Sequence, residues 1–323
     1  MRSQQRRRLI KAEATTNPHY GKKPVHRSME EHIHNGVAIV DKPAGPTSHQ
    51  VSAWVRDIFH LDKAGHGGTL DPDVTGVLPV ALSNAAKTIG LLHEAGKEYV
   101  AVMRLHGDRD DSEIQAACRQ QIGTVTQMPP EQAAVKREER QREIYDLGLM
   151  EIRERDVLFR VSCQGGTYIR VLCQDIGKTL GCGAHMHELR RTRSGRFTEN
   201  DAHTLHDLLD AYTFWKENGD EEIQNIIRPM EDVLLHIPAV VIRDSAIDAI
   251  CHGADLAVAG ILQVDTGIKP GGQVAVMSLK GEGVAIGLAT MSTRDIMEQD
   301  QGIAVDTKRV LMRKGTYPSM WKK

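Results

Sequence analysis

A glycine- and proline-rich segment at residues 63–80 sets the strongest constraint on how this chain can fold. Four glycines and two prolines fall within it, so the chain must form an irregular loop there rather than a regular helix. Asp71 lies inside this loop, and the following Pro72 restricts its backbone. On spacing alone, an Asp-Pro pair is typical of an ordinary turn. The flanking apolar run would instead hold the carboxylate on a rigid support, which makes Asp71 a candidate catalytic residue.

A second glycine turn, Gly165-Gly166, precedes a predicted helix that ends at Gly181. The apolar face of that helix consists of Ile169, Leu172, Cys173, Ile176 and Leu180. Tyr168 and Arg170 lie in the first turn and on different faces from this stripe. An aromatic ring and a guanidinium displayed together suit stacking on a base and pairing with a carboxylate or phosphate. The alternative is a core tyrosine beside an ordinary surface arginine.

Strand and helix patterns interleave in the first two thirds of the chain. The apolar run at residues 36–41 is typical of a buried strand. Thr47 to Gln50 form a capping-box pattern, and the spacing that follows predicts a helix that packs Trp54 into the core. Further strands are predicted at residues 99–105 and 157–163, with a salt-bridged surface stretch at 136–155. Because the interleaving lacks a strict βαβ period, we expect an α+β fold with a mixed sheet.

Beyond a polar break near residue 217, the pattern changes to short apolar runs separated by glycine turns. These runs are residues 240–242, 260–264, 273–276, 284–287 and 302–305. Such spacing is typical of a small closed β-barrel. One short helix is predicted at residues 245–251, capped by Asp244 or Ser245. The sequence therefore predicts an all-β domain after the mixed-sheet domain.

The formal charge of the chain is −2, from 41 basic and 43 acidic side chains, so no overall positive field draws it to nucleic acid. Any contact with a polyanion must be local. Residues 1–27 hold eight Lys or Arg against one Glu and suit either a solvated flexible tail or an arm that contacts phosphate or a partner. Residues 189–196 hold four arginines and suit either phosphate contact or plain solvation.

Cysteine usage and hydropathy indicate the compartment. Five scattered cysteines without paired short spacings argue against a secreted disulfide framework and fit a reducing interior. Neither a signal peptide nor a window of about 18 apolar residues occurs. We therefore expect a cytoplasmic protein without a membrane segment. Only 13 residues are aromatic, so the position of each one is informative.

Two kinds of binding site are disfavoured. The glycine-rich run lacks the Gly-Lys-Ser/Thr ending of a nucleotide P-loop, which argues against nucleotide hydrolysis. Cys173, Cys182, His185 and His187 do not have a recognised zinc spacing, and Cys173 lies on the apolar helical face. We expect no bound metal and no cofactor.

Four motifs, in this order, resemble the TruB-type pseudouridine synthase family. They are GVAIVDKPAGPTS at residues 36–48, GHGGTLDPDVTG at 65–76, GTYIRVLCQDIG at 166–177 and LRRTRSG at 189–195. The resemblance runs from about residue 33 to the C terminus. It implies an enzyme that isomerises uridine to pseudouridine within RNA. The C-terminal region resembles a PUA domain, a small RNA-binding β-barrel.

Within this family the chain is most similar to the archaeal and eukaryotic dyskerin-like branch, the catalytic protein of box H/ACA guide-RNA particles. The pointers are Pro129-Pro130 before AVKR at residues 134–137, AHMHE at 184–188 and GTYP at 315–318. A chain that ends without a long Lys-rich tail looks archaeal. The resemblance implies RNA partners, namely a box H/ACA guide and an rRNA or tRNA substrate. It also implies small particle proteins of the Nop, Gar and kink-turn-binding types.

The resemblance further implies roles for individual residues. Asp71 is expected to be the catalytic aspartate, Arg170 to pair with it and Tyr168 to stack on the target base. The expected substrate-binding residues are His66, Tyr99, Leu189, Lys42, Arg190 and Arg191. The family often has Ser or Thr before the Gly where this chain has Gly67-Gly68, a departure that affects the loop but not Asp71.

These patterns predict a domain order and leave three functions open. We expect a basic arm at residues 1–32, a catalytic domain at 33–235, a PUA domain at 236–314 and a tail at 315–323. The first function is a guide-RNA-dependent enzyme, and the second is a stand-alone synthase for the T-loop uridine of tRNA. The third is a non-catalytic RNA scaffold, against which the intact set of Asp71, Tyr168 and Arg170 argues.

Overall fold

The computed structural model describes residues 6–129, 136 and 138–319, and it divides into two compact units. The first unit comprises residues 6–37, 81–88 and 227–319, and the second comprises the described residues of 38–80 and 89–226. Each unit has a hydrophobic core of its own. Residues 130–135 and 137, which belong to a motif quoted above, lie outside the described residues.

The strands, in chain order, are β1 (Arg8–Ile10), β2 (Gly36–Lys42), β3 (Ala64–His66), β4 (Thr75–Leu82), β5 (Lys97–Leu105), β6 (Gly123–Gln127), β7 (Arg140–Arg153), β8 (Asp156–Cys163), β9 (Ala184–Ser194), β10 (Phe197–Thr198), β11 (Ile227–Pro229), β12 (Ala239–Ile242), β13 (Leu256–Ala257), β14 (Ile261–Asp265), β15 (Gln273–Ser278), β16 (Gly283–Ala289) and β17 (Ile303–Val310). The α-helices are α1 (Met29–His34), α2 (Ser48–Ile58), α3 (Ile89–Glu94), α4 (Asp111–Gln120), α5 (Ile169–Thr179), α6 (Leu205–Asn218), α7 (Ile223–Ile226), α8 (Glu231–Leu234), α9 (Asp244–Cys251) and α10 (Thr293–Glu298). Among the described residues, no helix is both long and apolar enough to span a membrane.

A mixed sheet organises the second unit, in the order β2-β4-β9-β5-β8-β7-β6. Alternate residues of β5 from Lys97 to Leu105 are buried, as the period of a strand with one core face requires. β5 pairs antiparallel with both β8 and β9, whereas β4 and β9 run parallel. α5 packs its apolar stripe into the same core. The predicted α+β fold with a mixed sheet is thus confirmed.

The predicted helix after Thr47 is present as α2, with Thr47 as its N-cap and a capping box to Gln50. The prediction for Trp54 was wrong, because its side chain is 46% exposed. The buried residues of α2 are Ser48, Val51, Ser52 and Val55. Trp54 lies at the margin of that stripe, where a large ring remains in contact with solvent.

The charged stretch at residues 136–155 is salt-bridged and mostly exposed, as predicted, with ion pairs such as Arg140–Glu138 and Arg153–Glu151. Most of it also forms strand β7, which the sequence did not indicate. β7 pairs with β6 on one side and with β8 on the other. Ile144 and Leu147 are buried on the core side, whereas Glu143, Asp146 and Glu151 are exposed. The apolar positions were too few for sequence periodicity to indicate a strand.

In the first unit, seven strands form one sheet in the order β1-β14-β12-β15-β16-β17-β13. All five C-terminal runs predicted as strands lie in it. The cap prediction for α9 was wrong, because the helix begins at Asp244 with Arg243 as its N-cap. The Asp244 carboxylate instead accepts hydrogen bonds from the Thr16 hydroxyl and the Asn17 backbone N–H.

The described part of residues 1–27 packs against this sheet, which differs from the flexible-tail alternative. Strand β1 pairs antiparallel with β14 and sets Arg8 opposite Asp265, whose side chains form an ion pair at 2.8 Å. Lys280 Nζ donates to the carbonyl oxygens of Asn17, Tyr20 and Gly21. The sequence alone favoured a solvated tail because the partners of this segment, strand β14 and the half-buried Lys280, come from the far end of the chain.

Candidate active site

The Asp71 carboxylate and the Arg170 guanidinium meet at the surface of the second unit. Arg170 Nη2 lies 2.6 Å from Asp71 Oδ2, and the two side chains are 38% and 54% exposed. Asp71 belongs to the loop between β3 and β4, and Arg170 belongs to the first turn of α5. The fold thus brings together two residues that the sequence singled out separately. Both have accessible atoms for a ligand.

A buried lysine, Lys42, donates hydrogen bonds to the loop that carries Asp71. Lys42 Nζ donates to the carbonyl oxygens of Pro43, Pro72 and Val74, each at 2.8 Å. All three protons of the ammonium group are therefore used, and the side chain is fully buried. Burial lowers the pKa of Lys42, and the nearby carboxylates of Asp73 and Asp71 oppose that shift. The structure places Lys42 under the loop that carries Asp71, not on the surface open to substrate.

Arg191 has a similar position at the other side of the loop. Its Nε donates to the Val77 carbonyl at 2.7 Å and its Nη2 to the Gly68 carbonyl at 3.1 Å, and the side chain is 1% exposed. Burial lowers the pKa of Arg191, and Tyr99 opposes that shift. At Gly76, where φ is +103°, a Cβ atom would stand 2.2 Å from the Arg191 carbonyl oxygen, so only glycine fits. The resemblance implied that Arg191 binds substrate. The sequence could not show that its guanidinium instead donates to backbone carbonyl oxygens of the loop.

The first turn of α2 fixes the loop from a third side. Ser48 Oγ donates to the Leu70 carbonyl at 2.9 Å and accepts from the Leu70 N–H at 2.8 Å. Ser48 and Leu70 are both buried. Since Leu70 immediately precedes Asp71, helix α2 and the candidate catalytic residue are connected through one serine.

Tyr168, Tyr99 and Leu189 come from the elements that surround Asp71. Tyr168 is the N-cap of α5, and its backbone is held by Gln127 through a donated and an accepted hydrogen bond of 2.9 and 3.1 Å. Tyr99 is 7% exposed, and burial raises the pKa of its hydroxyl while the Arg191 guanidinium acts in the opposite direction. Leu189 lies opposite Ala101 on β9 and packs on the core.

Arg190 is engaged within the chain. Its Nη1 and Nη2 lie 3.0 and 3.1 Å from the Asp41 carboxylate, and its Nε lies 2.6 Å from Glu199. The guanidinium charge is therefore already balanced by two carboxylates. Of the arginines in the patch at residues 189–196, Arg191 is also buried and Arg193 donates to the Gly195 carbonyl. Much of this patch thus supports the fold instead of presenting free positive charge.

His66 lines a cavity of about 500 Å³ together with His49, His93 and Arg56. It is 8% exposed, and neither ring nitrogen has a hydrogen-bond partner among the described residues. Burial, with help from His49, His93 and Arg191, lowers the pKa of His66 to about 4, so the ring is neutral at pH 7. The His49 ring approaches it edge-on with centroids 4.8 Å apart. A neutral ring with a free donor and a free acceptor suits a polar ligand that enters this cavity.

Sequence reasoning missed His49, His93 and Lys97. Lys97 is 4% exposed and donates to the carbonyls of Leu92 and Ala95 at 2.8 and 2.7 Å. Burial, with the Arg191 charge, lowers the pKa of Lys97 to about 7. Its place two residues before Tyr99, on the same face of β5, was a usable signal for Lys97. No comparable signal marked the two histidines, which the fold brings to His66 from separate helices.

Gly67, where the family often has Ser or Thr, lies against Leu92 of α3. A Cβ atom on Gly67 would stand 2.5 Å from Leu92 Cβ, so a larger residue at this position would displace Leu92. The departure is therefore matched by the packing of α3. Among the described residues, no group of three His, Cys, Asp or Glu side chains stands close enough to hold a metal ion.

Family models match successive parts of the chain. Residues 56–169 match the TruB family pseudouridylate synthase N-terminal domain, and residues 170–235 match the tRNA pseudouridylate synthase B C-terminal domain. Residues 238–311 match the PUA domain, and residues 3–52 match the DKCLD (NUC011) domain. A mixed-sheet domain with a surface aspartate–arginine pair, followed by a PUA domain, defines the class as an RNA-modifying isomerase.

Relatives are similar over nearly the whole chain. A probable tRNA pseudouridine synthase B of Methanopyrus kandleri is 57% identical over 98% of this chain and 94% of its own length. One of Methanocaldococcus jannaschii is 56% identical, with the same coverage of 98% and 94%. Among solved structures, that of a Cbf5-Nop10-Gar1 complex has a TM-score of 0.93 at 52% identity, covering 98% of this chain and 97% of the other. That of an H/ACA RNP bound to a substrate RNA containing 2′-deoxyuridine has a TM-score of 0.92 at 50% identity, covering 99% and 98%. The chain belongs to the TruB family of pseudouridine synthases, in its archaeal, dyskerin-like branch.

Proposed function

We propose that this pseudouridine synthase is the catalytic subunit of a box H/ACA particle. It would bind a guide RNA and modify a uridine in the paired rRNA or tRNA. The support is the likeness to the Cbf5-Nop10-Gar1 complex and to the H/ACA RNP bound to a substrate RNA, together with the family membership. Its partners would be small proteins of the Nop, Gar and kink-turn-binding types. The reducing interior of the cytoplasm suits its free cysteines.

The observation that carries the catalytic assignment is the 2.6 Å contact between Arg170 and Asp71 on a loop held from beneath. The reaction breaks the N1–C1′ bond of uridine, turns the base, and joins C5 to C1′, so the base loses the C5 proton and gains one at N1. Asp71 would act as a carboxylate, either as the nucleophile or as the base that starts cleavage. Arg170 would orient that carboxylate and balance its charge.

The other site residues would bind the flipped nucleotide. Extrusion of a base from a helix costs a few kcal/mol, roughly, and stacking on Tyr168 would offset part of it. Tyr99 and Leu189 would line the pocket, and His66 would contact RNA from the neighbouring cavity. Because they are buried, Lys42 and Arg191 would serve the substrate indirectly by fixing the Asp71 loop. Arg190 would link β9 to Asp41 and Glu199.

The domain arrangement follows from the same proposal. The catalytic domain at residues 33–235 would carry out the reaction, and the PUA domain at 236–314 would bind the guide RNA. The first compact unit also contains residues 6–37, so the basic arm at residues 1–32 would act as part of the RNA-binding unit. Of the tail at residues 315–323, the described part, 315–319, would belong to that unit through the buried Tyr317.

A stand-alone tRNA synthase is the second candidate, because similar archaeal proteins carry the name probable tRNA pseudouridine synthase B. Purified protein would be assayed on tRNA and on a guide-paired target, each with and without the guide and the partner proteins. Dependence on guide and partners for both substrates supports the particle. Full turnover of tRNA by the protein alone supports the second candidate.

Asp71→Asn tests the catalytic assignment. We expect pseudouridine formation to fall by about 10²–10⁴-fold or more while RNA affinity stays unchanged. The matched control is Asp73→Asn, which alters a second exposed carboxylate of the same loop. Single-turnover assays with the variants, alongside a filter-binding measurement, give the result. Wild-type turnover by Asp71→Asn would refute the assignment, and an equal loss in both variants would attribute the effect to the loop.

A further inference from the structure

Three buried cations, Lys42, Arg191 and Lys97, lie next to the loop that carries Asp71. Each donates to backbone carbonyl oxygens, and none forms an ion pair with a carboxylate of the described residues. A buried charge without a counter-charge is unfavourable for the fold, and groups in such environments concentrate at functional sites. Lys42 and Arg191 bond to the loop directly, whereas Lys97 bonds to the element beside it.

Lys97 reaches the loop through helix α3. Its Nζ donates to the carbonyl oxygen of Leu92, in α3, at 2.8 Å and to that of Ala95, just after α3, at 2.7 Å. Gly67 of the loop lies against Leu92, since a Cβ atom at Gly67 would stand 2.5 Å from Leu92 Cβ. The ammonium group therefore fixes the end of the helix on which the start of the loop rests.

The Lys97 side chain also lies close to the next residue of the loop. A Cβ atom on Gly68 would stand 3.6 Å from Lys97 Cε and 3.6 Å from Arg191 Nη1. The Gly68 carbonyl accepts from Arg191 Nη2 at 3.1 Å. Two cationic side chains thus lie beside the backbone that leads to the Asp71 carboxylate.

The Lys97 ammonium group has cations and neutral groups around it. The titratable and charged groups that face it are Arg191 and Arg193 from β9, Cys163 from β8, Tyr99 from β5 and His93 from α3. None of these groups is a carboxylate. Burial, with the Arg191 charge, therefore lowers the pKa of Lys97 to about 7. Lys97 changes its charge near neutral pH, whereas a guanidinium keeps its proton there.

We propose that Lys97, in its charged form, is a positioning residue for pseudouridine formation. Charge-assisted hydrogen bonds are roughly twice as strong as neutral ones, so loss of the charge weakens both bonds at the end of α3. The backbone of Gly67 and Gly68, and with it Asp71, is then held less firmly in the geometry that the reaction needs. Because Lys97 is buried, it acts through Asp71 and not on the RNA. The inference therefore rests on the proposed role of Asp71.

The test compares single-turnover rates from pH 6 to pH 9, with guide RNA, target and partner proteins at saturation. The wild-type rate should fall about tenfold as Lys97 loses its proton, because a loosened catalytic geometry slows the chemical step. Lys97→Met has no charge to lose and should show the low rate at every pH. Lys97→Arg keeps its charge, so its rate should not fall above pH 7. Since a buried arginine is larger, the shape of its pH profile is the measure and not its absolute rate.

Lys63→Met is the matched control, because Lys63 is an exposed lysine just before β3 of the same unit. It should follow the wild-type profile. The Cε resonance of ¹³C-labelled lysine follows Lys97 directly, and the signal that is missing in Lys97→Met should titrate near pH 7 in wild type. A signal that shows a charged Lys97 up to pH 9 would contradict the proposal.

Two outcomes separate this inference from the catalytic assignment. Wild-type turnover by Asp71→Asn would remove the assignment and the inference together. If Asp71→Asn is inactive but Lys97→Met still shows the wild-type fall above pH 7, the inference alone is wrong. A rate lowered by one constant factor would then give Lys97 a purely structural role, since the pH-sensitive group would lie elsewhere.

Discussion

Arg170 and Asp71 are joined by one short contact, 2.6 Å between Nη2 and Oδ2, although they lie 99 residues apart in the chain. A guanidinium is a planar fork with donors in fixed directions, whereas an ammonium is a point charge on a flexible stem. Arg170 can therefore orient the carboxylate as well as balance its charge. Orientation is the part that a lysine cannot replace.

Arg170→Lys should reduce pseudouridine formation on the order of 10²-fold, because it keeps the charge and loses the fixed donor. Single-turnover rates at saturating RNA measure the effect on the chemical step. Arg160→Lys is the control, since Arg160 is another partly exposed arginine of this unit, 3.7 Å from Asp146. A rate within a few-fold of wild type would mean that Arg170 serves only the RNA backbone.

His66 connects the site to the stability of the fold. Its pKa is lowered to about 4, below the usual 6.5, because the ring is buried. Between those values the unfolded chain binds a proton that the folded chain does not, so stability falls as pH drops through this window. The loss reaches about 3 kcal/mol once the pH is below 4. It is absent above pH 6.5.

His66→Asn should flatten this dependence, because the variant has no proton to bind. Urea unfolding of wild type and variant at pH 7 and pH 4.5 gives the comparison, and the wild type should lose more stability between the two. His206→Asn, which alters an exposed histidine of α6, should behave as wild type does. A parallel loss in all three proteins would place the acid sensitivity elsewhere.

At the scale of elements, helix α2 acts on the Asp71 loop through its first turn. Ser48→Ala removes both hydrogen bonds to the Leu70 backbone and should cost about 1–3 kcal/mol of unfolding free energy. It should also lower turnover, since the loop next to Asp71 loses a fixed point. Chemical denaturation and single-turnover assays measure the two effects.

Ser52→Ala provides the comparison for that prediction. Ser52 is also buried in α2, but its hydroxyl donates only to the Ser48 carbonyl one turn earlier. We expect a smaller loss of stability and unchanged turnover. If both serines affected turnover equally, the cause would be the packing of α2 and not the connection to Leu70.

Local periodicity accounts for what the sequence could predict of these elements. β5, β8 and α5 follow strand or helix spacing closely, and Thr47 with Gln50 marks the start of α2. The bonding of Lys42 was not predictable, because its three acceptors are carbonyl oxygens of a loop whose path no pattern encodes. The pairing of Arg190 with Asp41 depends in the same way on distant segments. Motifs therefore identified the candidate residues, and only the fold separated those facing the surface from those beneath it.

At the scale of the whole molecule, the first unit is assembled from both ends of the chain. Its core includes the partly buried Leu9 and Tyr20 from the N-terminal segment and the buried Tyr317 near the C terminus. Tyr317 donates to the buried Glu282 carboxylate at 2.6 Å, and Glu282 also accepts from the Lys22 N–H at 3.0 Å. The N-terminal segment thus satisfies charged groups that the sheet alone leaves buried.

Deletion of residues 1–23 should therefore destabilise the first unit. It removes the β1 pairing, the Thr16 and Asn17 donors to Asp244, the carbonyl acceptors of Lys280 and the Lys22 donor to Glu282. We expect a loss of roughly several kcal/mol and about 10 °C in Tm. Hydrogen exchange should accelerate in β12, β14 and β15, while β5 and β8 of the second unit remain protected. Unchanged protection of β12 and β14 would show that the segment adds nothing to the sheet.

The pairing of β1 with β14 also has a consequence during protein synthesis. Arg8 leaves the ribosome about 250 residues before its partner Asp265. At typical elongation rates the strand must wait roughly 10–50 s, and the second unit is synthesised entirely within that interval. The second unit can thus fold while β1 still has no partner strand. During this period a ribosome-associated chaperone could bind the unpaired backbone of β1.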